Sequence, residues 1–338
     1  MAELKIELPA PVSGRLPVLD ELKGLAIILV ILYHAGGALV WNNYLHGDIG
    51  VDMFVILSGL GLVLGSHYTG AREFLTRRLG RIMPTYWIVL TVLLILNTHF
   101  LQRQYTWTDI GLHYLGVHAW FGDAYGVSIN DSFWFITLIL TLYLLYCAIQ
   151  PWLGRADHIL LFGGIVSCGG ALGLFFWNQP SVFSHLGLRL PGFFLGILAG
   201  QTMKNAKLAI PLTWQLATAL FLLTYVPYTQ GVVFHSTVVA AMVMAFYGLA
   251  LRPRLPAAAG NWMGAVLCFL GRHSLEIFLI HQPLMREYNY YLHGRWLNVI
   301  RPSPLSLITG MVIALAVTML LSVELRRLLQ KLPFPAKA

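Results

Sequence analysis

The chain has 338 residues, of which 57% are hydrophobic and only 11% charged, and its mean hydropathy is +0.70. So few polar side chains cannot cover a water-soluble surface, which excludes an ordinary soluble globular domain. The formal net charge of +8 is read as membrane topology, with anionic lipid headgroups as its partner, and not as a nucleic-acid surface.

An all-α, polytopic integral membrane bundle is expected, because about ten stretches approach the roughly 20 apolar residues that a bilayer crossing requires. They cover 25–41, 51–68, 86–101, 133–152, 158–177, 186–203, 212–227, 232–251, 275–292 and 305–325. Residues 1–15 and 329–338 read as tails on a transmembrane domain spanning 16–328. The first tail carries Glu3, Lys5, Glu7 and Arg15 and lacks the apolar stretch of a signal peptide, so it is expected to stay on the chain and in the cytoplasm. With that orientation only Arg103, Arg189, Arg286, Arg295 and Arg301, of 22 Lys and Arg, face outward. The excess of inward cations follows the positive-inside rule and places both termini in the cytoplasm.

The first span carries His34 near its middle, where an ionisable side chain is costly and marks a functional position. Lys23 stands eleven residues earlier. Eleven steps of about 100° bring the two onto one helix face, about 16 Å apart along the axis. Lys23 then sits at the cytoplasmic rim, as a phosphate contact or a snorkelling anchor, and His34 lies at a depth suited to proton transfer. In the second span Asp52 either orients His34 or serves as a helix-start acid. Between spans two and three, residues 69–85 read as a short amphipathic helix lying at the inner interface. Arg77 and Arg81 share one of its faces, and Arg78 and Arg81, three apart, can grip phosphates together.

Residues 102–132 are aromatic and polar at once, with Trp107, His113, His118, Trp120, Asp123, Tyr125, Asn130 and Asp131. That mixture suits either a lid over a sugar or an interfacial aromatic belt. Further along, Glu276 and His281 fall in the first turns of the ninth span. Glu276 can line a channel there or pair with Arg272 four residues back. Cys147, Cys168 and Cys268 sit in or beside apolar spans without metal-ligand spacing, and read as small packing side chains.

Four stretches in order carry a family resemblance. The opening, Leu19-Asp20-Glu21-Leu22-Lys23-Gly24-Leu25-Ala26 through Tyr33-His34, is similar to that of acyltransferase family 3, with Lys23 where the family pattern has Arg. A lysine keeps the charge and loses the planar fork. Gly50-Val51-Asp52-Met53-Phe54-Val55-Ile56-Leu57-Ser58-Gly59 resembles the family's second-helix pattern, and Arg77-Arg78-Leu79-Gly80-Arg81-Ile82-Met83-Pro84 its basic element. Leu270-Gly271-Arg272-His273-Ser274-Leu275-Glu276-Ile277-Phe278-Leu279-Ile280-His281 resembles a late one. In the fourth span Asp131-Ser132-Phe133-Trp134-Phe135-Ile136-Thr137 lacks the glutamate that many members carry.

The resemblance implies a membrane-embedded O-acyltransferase of the bacterial inner membrane that moves an acyl group, acetyl by default, from cytoplasmic acyl-CoA to a sugar hydroxyl on a cell-surface or lipid-linked glycan. Acetyl-CoA is then a donor substrate, and no tightly bound cofactor or metal is implied. His34 becomes the catalytic base, Lys23, Arg77, Arg78, Arg81 and His281 face the donor, and Asp52, Trp120, Asp131, Trp134 and Arg189 face the acceptor. Arg189 can equally contact lipid phosphate from outside. The competing class is a secondary transporter, which also buries ionisable groups at mid-membrane. It predicts an internal repeat, and none is evident.

Overall fold

The computed structural model describes residues 16–40, 48–65, 68–153, 158–159, 163–164, 182–204, 232–251, 257–288 and 304–331. Within them the chain is helical throughout and contains no strand. The helices are α1 (Pro17–Val40), α2 (Asp48–Gly65), α3 (Ala71–Phe100), α4 (Trp107–Leu115), α5 (Trp134–Ile149), α6 (Val182–Lys204), α7 (Val232–Ala245), α8 (Ala257–Arg272), α9 (Ser274–Gln282) and α10 (Pro304–Lys331). Proline opens α1 and α10, where its missing N–H costs nothing.

The burial pattern is inverted relative to a soluble protein. On α10, Leu305, Ile308, Val312, Ile313, Leu320, Leu321 and Leu328 are exposed, whereas Thr318 and Ser322 are fully buried. Asp20, Glu21, Asp52, Arg189, Glu276, His281 and Gln282 are buried as well. Apolar side chains outside and polar ones inside suit hydrocarbon as the solvent.

By length and composition three described helical stretches can cross a bilayer: Ala71–Phe100, Asp131–Trp152 and Ile308–Lys331. A fourth is available if α8 and α9, bent by 69° at their junction, count as one broken span. The expectation of about ten spans is therefore met only in part among the described residues. Two expected spans, 158–177 and 212–227, fall almost wholly outside them.

Two expectations need correcting. Residues 69–85 do not form a separate interfacial helix; they are the first half of α3, which runs unbroken through Pro84 for 30 residues. Ile82, Met83, Pro84, Thr85 and Tyr86 are all buried there, so packing offsets the backbone hydrogen bond that proline removes. Second, no span was expected between 232–251 and 275–292, yet Ala257–Arg272 forms α8. Its apolar run is too short to cross alone and is flanked by Arg254 and Arg272, which hid it behind the charge signal.

Close backbone crossings hold the bundle together. A Cβ added at Gly24 would strike the Leu267 carbonyl, and one at Gly271 the Asp20 carbonyl, so α1 and α8 touch main chain to main chain. Gly59 and Gly196 do the same for α2 and α6, against Phe193 and Ile56. Such contacts are how membrane helices gain dispersion energy when lipid is as apolar as leucine.

Candidate active site

The centre of the site is a contact between two histidines. The His34 ring on α1 lies 5.0 Å from that of His281, centroid to centroid, at 61°, and 5.1 Å from that of Tyr33. His281 is fully buried in the last turn of α9. It therefore ends a nine-residue helix that starts at Ser274, and only Glu276 stays in the first turn. Its Nδ1 lies 3.0 Å from the Ile277 carbonyl oxygen and 2.9 Å from that of Phe278. A carbonyl can only accept, so Nδ1 carries the hydrogen and Nε2 is the free face of the ring. Nε2 is buried without a hydrogen-bond partner among the described residues. Phe278 packs against both the His281 ring (5.9 Å) and Phe135 of α5 (4.8 Å), which fixes α9 between α1 and α5.

Below the imidazoles, cations from four helices gather around two buried carboxylates. Asp20 forms ion pairs with Lys23 of α1 and Arg272 of α8, each at 3.7 Å. Glu276 lies 3.9 Å from Arg326 of α10 and within electrostatic reach of Arg81 of α3. Glu276 thus pairs across the bundle and not with Arg272, because the bend between α8 and α9 breaks the helical spacing that the i−4 pairing needs. From Glu276 to His281 the helix rises by about 7.5 Å. The neighbouring Glu21 accepts a hydrogen bond of 2.9 Å from the Tyr247 hydroxyl.

The three arginines of α3 have separate environments. Arg77 pairs with Glu73 one turn back at 3.3 Å. Arg78 lies over Phe74 and Tyr143, 5.6 and 5.9 Å from their centroids. Arg81 is exposed. Of the three, Arg81 is the one brought toward α9.

The residues read as acceptor-facing divide into two groups. Asp52 of α2 and Arg189 of α6 form an ion pair at 3.5 Å, with both side chains at most 1% exposed. The Thr237 hydroxyl of α7 donates to Asp52 at 3.1 Å, and the Arg189 guanidinium lies 4.8 Å from the Trp134 ring centroid. Asp52, Arg189 and Trp134, 137 residues apart at the extremes, are thereby one cluster. Complete burial of Arg189 overturns its reading as a contact to lipid phosphate.

Trp120 and Asp131 belong to a cap built from residues 102–133. Its α4 has a capping box in which the Thr106 hydroxyl and the Asp109 carboxylate satisfy each other's backbone N–H. Trp87 of α3 donates to the Tyr114 carbonyl at 2.8 Å, and buried Asn97 donates to the Tyr105 hydroxyl at 2.8 Å and the Ile129 carbonyl at 3.2 Å. Trp120 donates its indole N–H to Thr141 of α5 at 2.9 Å, so this side chain is anchored inward. Asp131 opens a 3₁₀ turn, Asp131–Phe133, just before α5. Inside the cap His113 and His118 stack at 3.9 Å and 9°. Burial pushes both below the ordinary histidine range, His118 to about 3 with His113 adding to the effect, so the pair is neutral near pH 7.

Sequence reasoning passed over Arg326, read only as inward charge, and Thr237, Phe278 and Gln282, and it offered Arg272 only as a partner for Glu276. No periodicity reports a partner on another helix, so nothing in the pattern singled them out.

A half-buried His34 in contact with a buried His281, above basic side chains from four helices of an apolar bundle, defines a class: membrane proteins with an ionisable site in their interior. The family model described as an acyltransferase domain, that of acyltransferase family 3, matches residues 16–323. The chain belongs to that family. It is also similar to a protein of Komagataeibacter xylinus described as "Putative membrane-bound transacylase BcsY", at 44% identity over 69 residues, 20% of this chain and 16% of that protein. The chain thus spans well under a fifth of that relative in the matched stretch. No solved structure matches.

Proposed function

We propose that the protein moves an acetyl group from cytoplasmic acetyl-CoA to a sugar hydroxyl of a cell-surface or lipid-linked glycan. The observation that carries this reading is the contact of His34 with buried His281 above the ring formed by Lys23, Arg272, Arg81 and Arg326.

Donor phosphates meet the cations at that rim, with Arg77 and Arg78 supporting the approach on α3. The pantetheine arm then reaches upward along α1 and α9, a distance that the separation of about 16 Å between Lys23 and His34 allows. His34 takes the proton of the acceptor hydroxyl as its oxygen attacks the thioester carbonyl, and returns it to the departing thiolate. His281, with Nδ1 tied to backbone carbonyls, is a fixed neighbour that orients the His34 ring. The Asp52–Arg189–Trp134 cluster, already internally paired, positions the walls of the acceptor side, with Trp120 and Asp131 in the cap above. The termini lie in the cytoplasm and the bundle in the bacterial inner membrane, as the cation asymmetry supports.

Deleting the protein from its host tests reaction and acceptor together. Ester-linked acetate on surface polysaccharide should fall to background and return with the wild-type chain, but not with His34→Ala present at equal levels in the membrane. Unchanged ester content in the deletion strain would refute the proposal. A carrier is separated by heating: coenzyme A should raise the unfolding temperature of the enzyme by mass action, and leave a carrier without such a site unmoved.

A further inference from the structure

We propose that Gln282 is a catalytic residue whose side-chain amide donates a hydrogen bond to the carbonyl oxygen of the acyl donor; this rests on the acyl-CoA reading above. Gln282 has no exposed surface. Neither its Oε1 nor its Nε2 has a hydrogen-bond partner among the described residues. An amide left unpaired in an interior is destabilising, so a side chain kept in that state is explained by a partner that arrives with the substrate.

Its place in the fold says which part of the substrate. Gln282 follows His281 directly, and at about 100° per residue the two side chains straddle the line of Phe278 one turn earlier. Phe278 touches the His281 ring on one side and Phe135 on the other. The amide therefore stands beside the imidazole pair, on the side toward α5. At the same point α9 widens into a π-helical turn, Pro283–Tyr288, a distortion frequent at functional sites.

Other polar atoms are left open nearby. The Tyr86 hydroxyl of α3 and, around the Asp131–Phe133 turn, the Ser132 hydroxyl and the Asn130 Nδ2 are also buried without hydrogen-bond partners among the described residues. Both α3 and that turn pack on α9. Elements packed on α9 thus carry further buried polar groups without partners, and a thioester carbonyl with an incoming hydroxyl is a polar guest for such an interior.

The step is an ordinary acyl transfer. The acceptor oxygen bonds to the carbonyl carbon while its proton passes to His34. The carbonyl π electrons move onto oxygen, where the Gln282 N–H meets the developing charge. When the carbonyl re-forms, the C–S bond breaks and His34 returns the proton to sulfur. No oxidant or further reactant is needed.

Gln282→Met keeps the length of the side chain and removes its polar end. The assay follows ester formation from radiolabelled acetyl-CoA in membrane vesicles that contain the host glycan, alongside thermal unfolding of the purified protein. The expected kcat falls by about 10²–10³-fold, KM for acetyl-CoA stays within about threefold, and Tm is unchanged or raised because an unpaired buried amide is gone. A wild-type kcat in Gln282→Met would overturn the inference. So would a lowered Tm, since it would mean that the amide is already bonded within the protein. If the wild-type protein forms no ester from acetyl-CoA, the donor reading falls and takes this inference with it.

Discussion

Two polar clusters lie buried in this bundle, and they are built on opposite plans. Around Asp52 and Arg189 each charge has a counterpart: a carboxylate, a guanidinium, a hydroxyl and an indole face drawn from four helices. Around His281 the arrangement is open, because the ring is fixed through Nδ1 while Nε2 and the adjacent Gln282 amide have no hydrogen-bond partner among the described residues. A closed cluster spends its polarity on holding helices in register. An open one keeps polarity in reserve for a substrate. The contrast explains why burial alone is a poor guide to catalysis in a membrane bundle, where expensive residues serve either purpose.

The comparison can be broken first at its closed member. Removing one partner of the buried pair, as in Asp52→Leu or Arg189→Met, should destabilise the protein by about 3–5 kcal/mol, because an uncompensated charge is left inside. Replacing both together, Asp52→Leu with Arg189→Met, should recover much of that loss. Thermal unfolding of the four proteins in one detergent checks the cycle, and additive losses in the double variant would show that the two residues do not act as a pair.

A smaller effect sharpens the distinction between cap and bundle. His118 is held at about 3 in the folded cap, against 6.5 in an unfolded chain. As pH falls from about 6.5, the unfolded chain takes up a proton that the folded cap refuses, so stability should decline by at most about 1.4 kcal/mol per pH unit until about pH 3. His118→Phe should flatten that acid slope while leaving Tm near pH 8 little changed. An identical pH dependence in the variant would show that the stacked pair does not govern it.

The sequence made the chemistry legible at single positions. His34 stood out because a titratable group in the middle of an apolar span is costly, and Lys23 followed from helical spacing. Neither observation could reveal His281 as the neighbour of His34, since the two are 247 residues apart in sequence and meet only after α9 docks on α1. Arg189 was open to two readings, acceptor or lipid phosphate, because its position near a span boundary resembles an interface, and its pairing with Asp52 shows that it lies inside. Charge also misled. Arg254 and Arg272 made the stretch between them look like a connection, although α8 packs there through glycine contacts with α1. Conversely, residues 69–85 read as a separate interfacial helix, although α3 runs on through buried Pro84.

The most direct test of the account separates donor binding from transfer in one variant. His34→Ala, reconstituted in vesicles with labelled acetyl-CoA and the host glycan, should keep the stabilisation that coenzyme A gives the wild-type protein, while ester formation falls by about 10²–10⁴-fold. Ester formation at the wild-type rate in that variant would contradict the assignment of the His34 imidazole as the base.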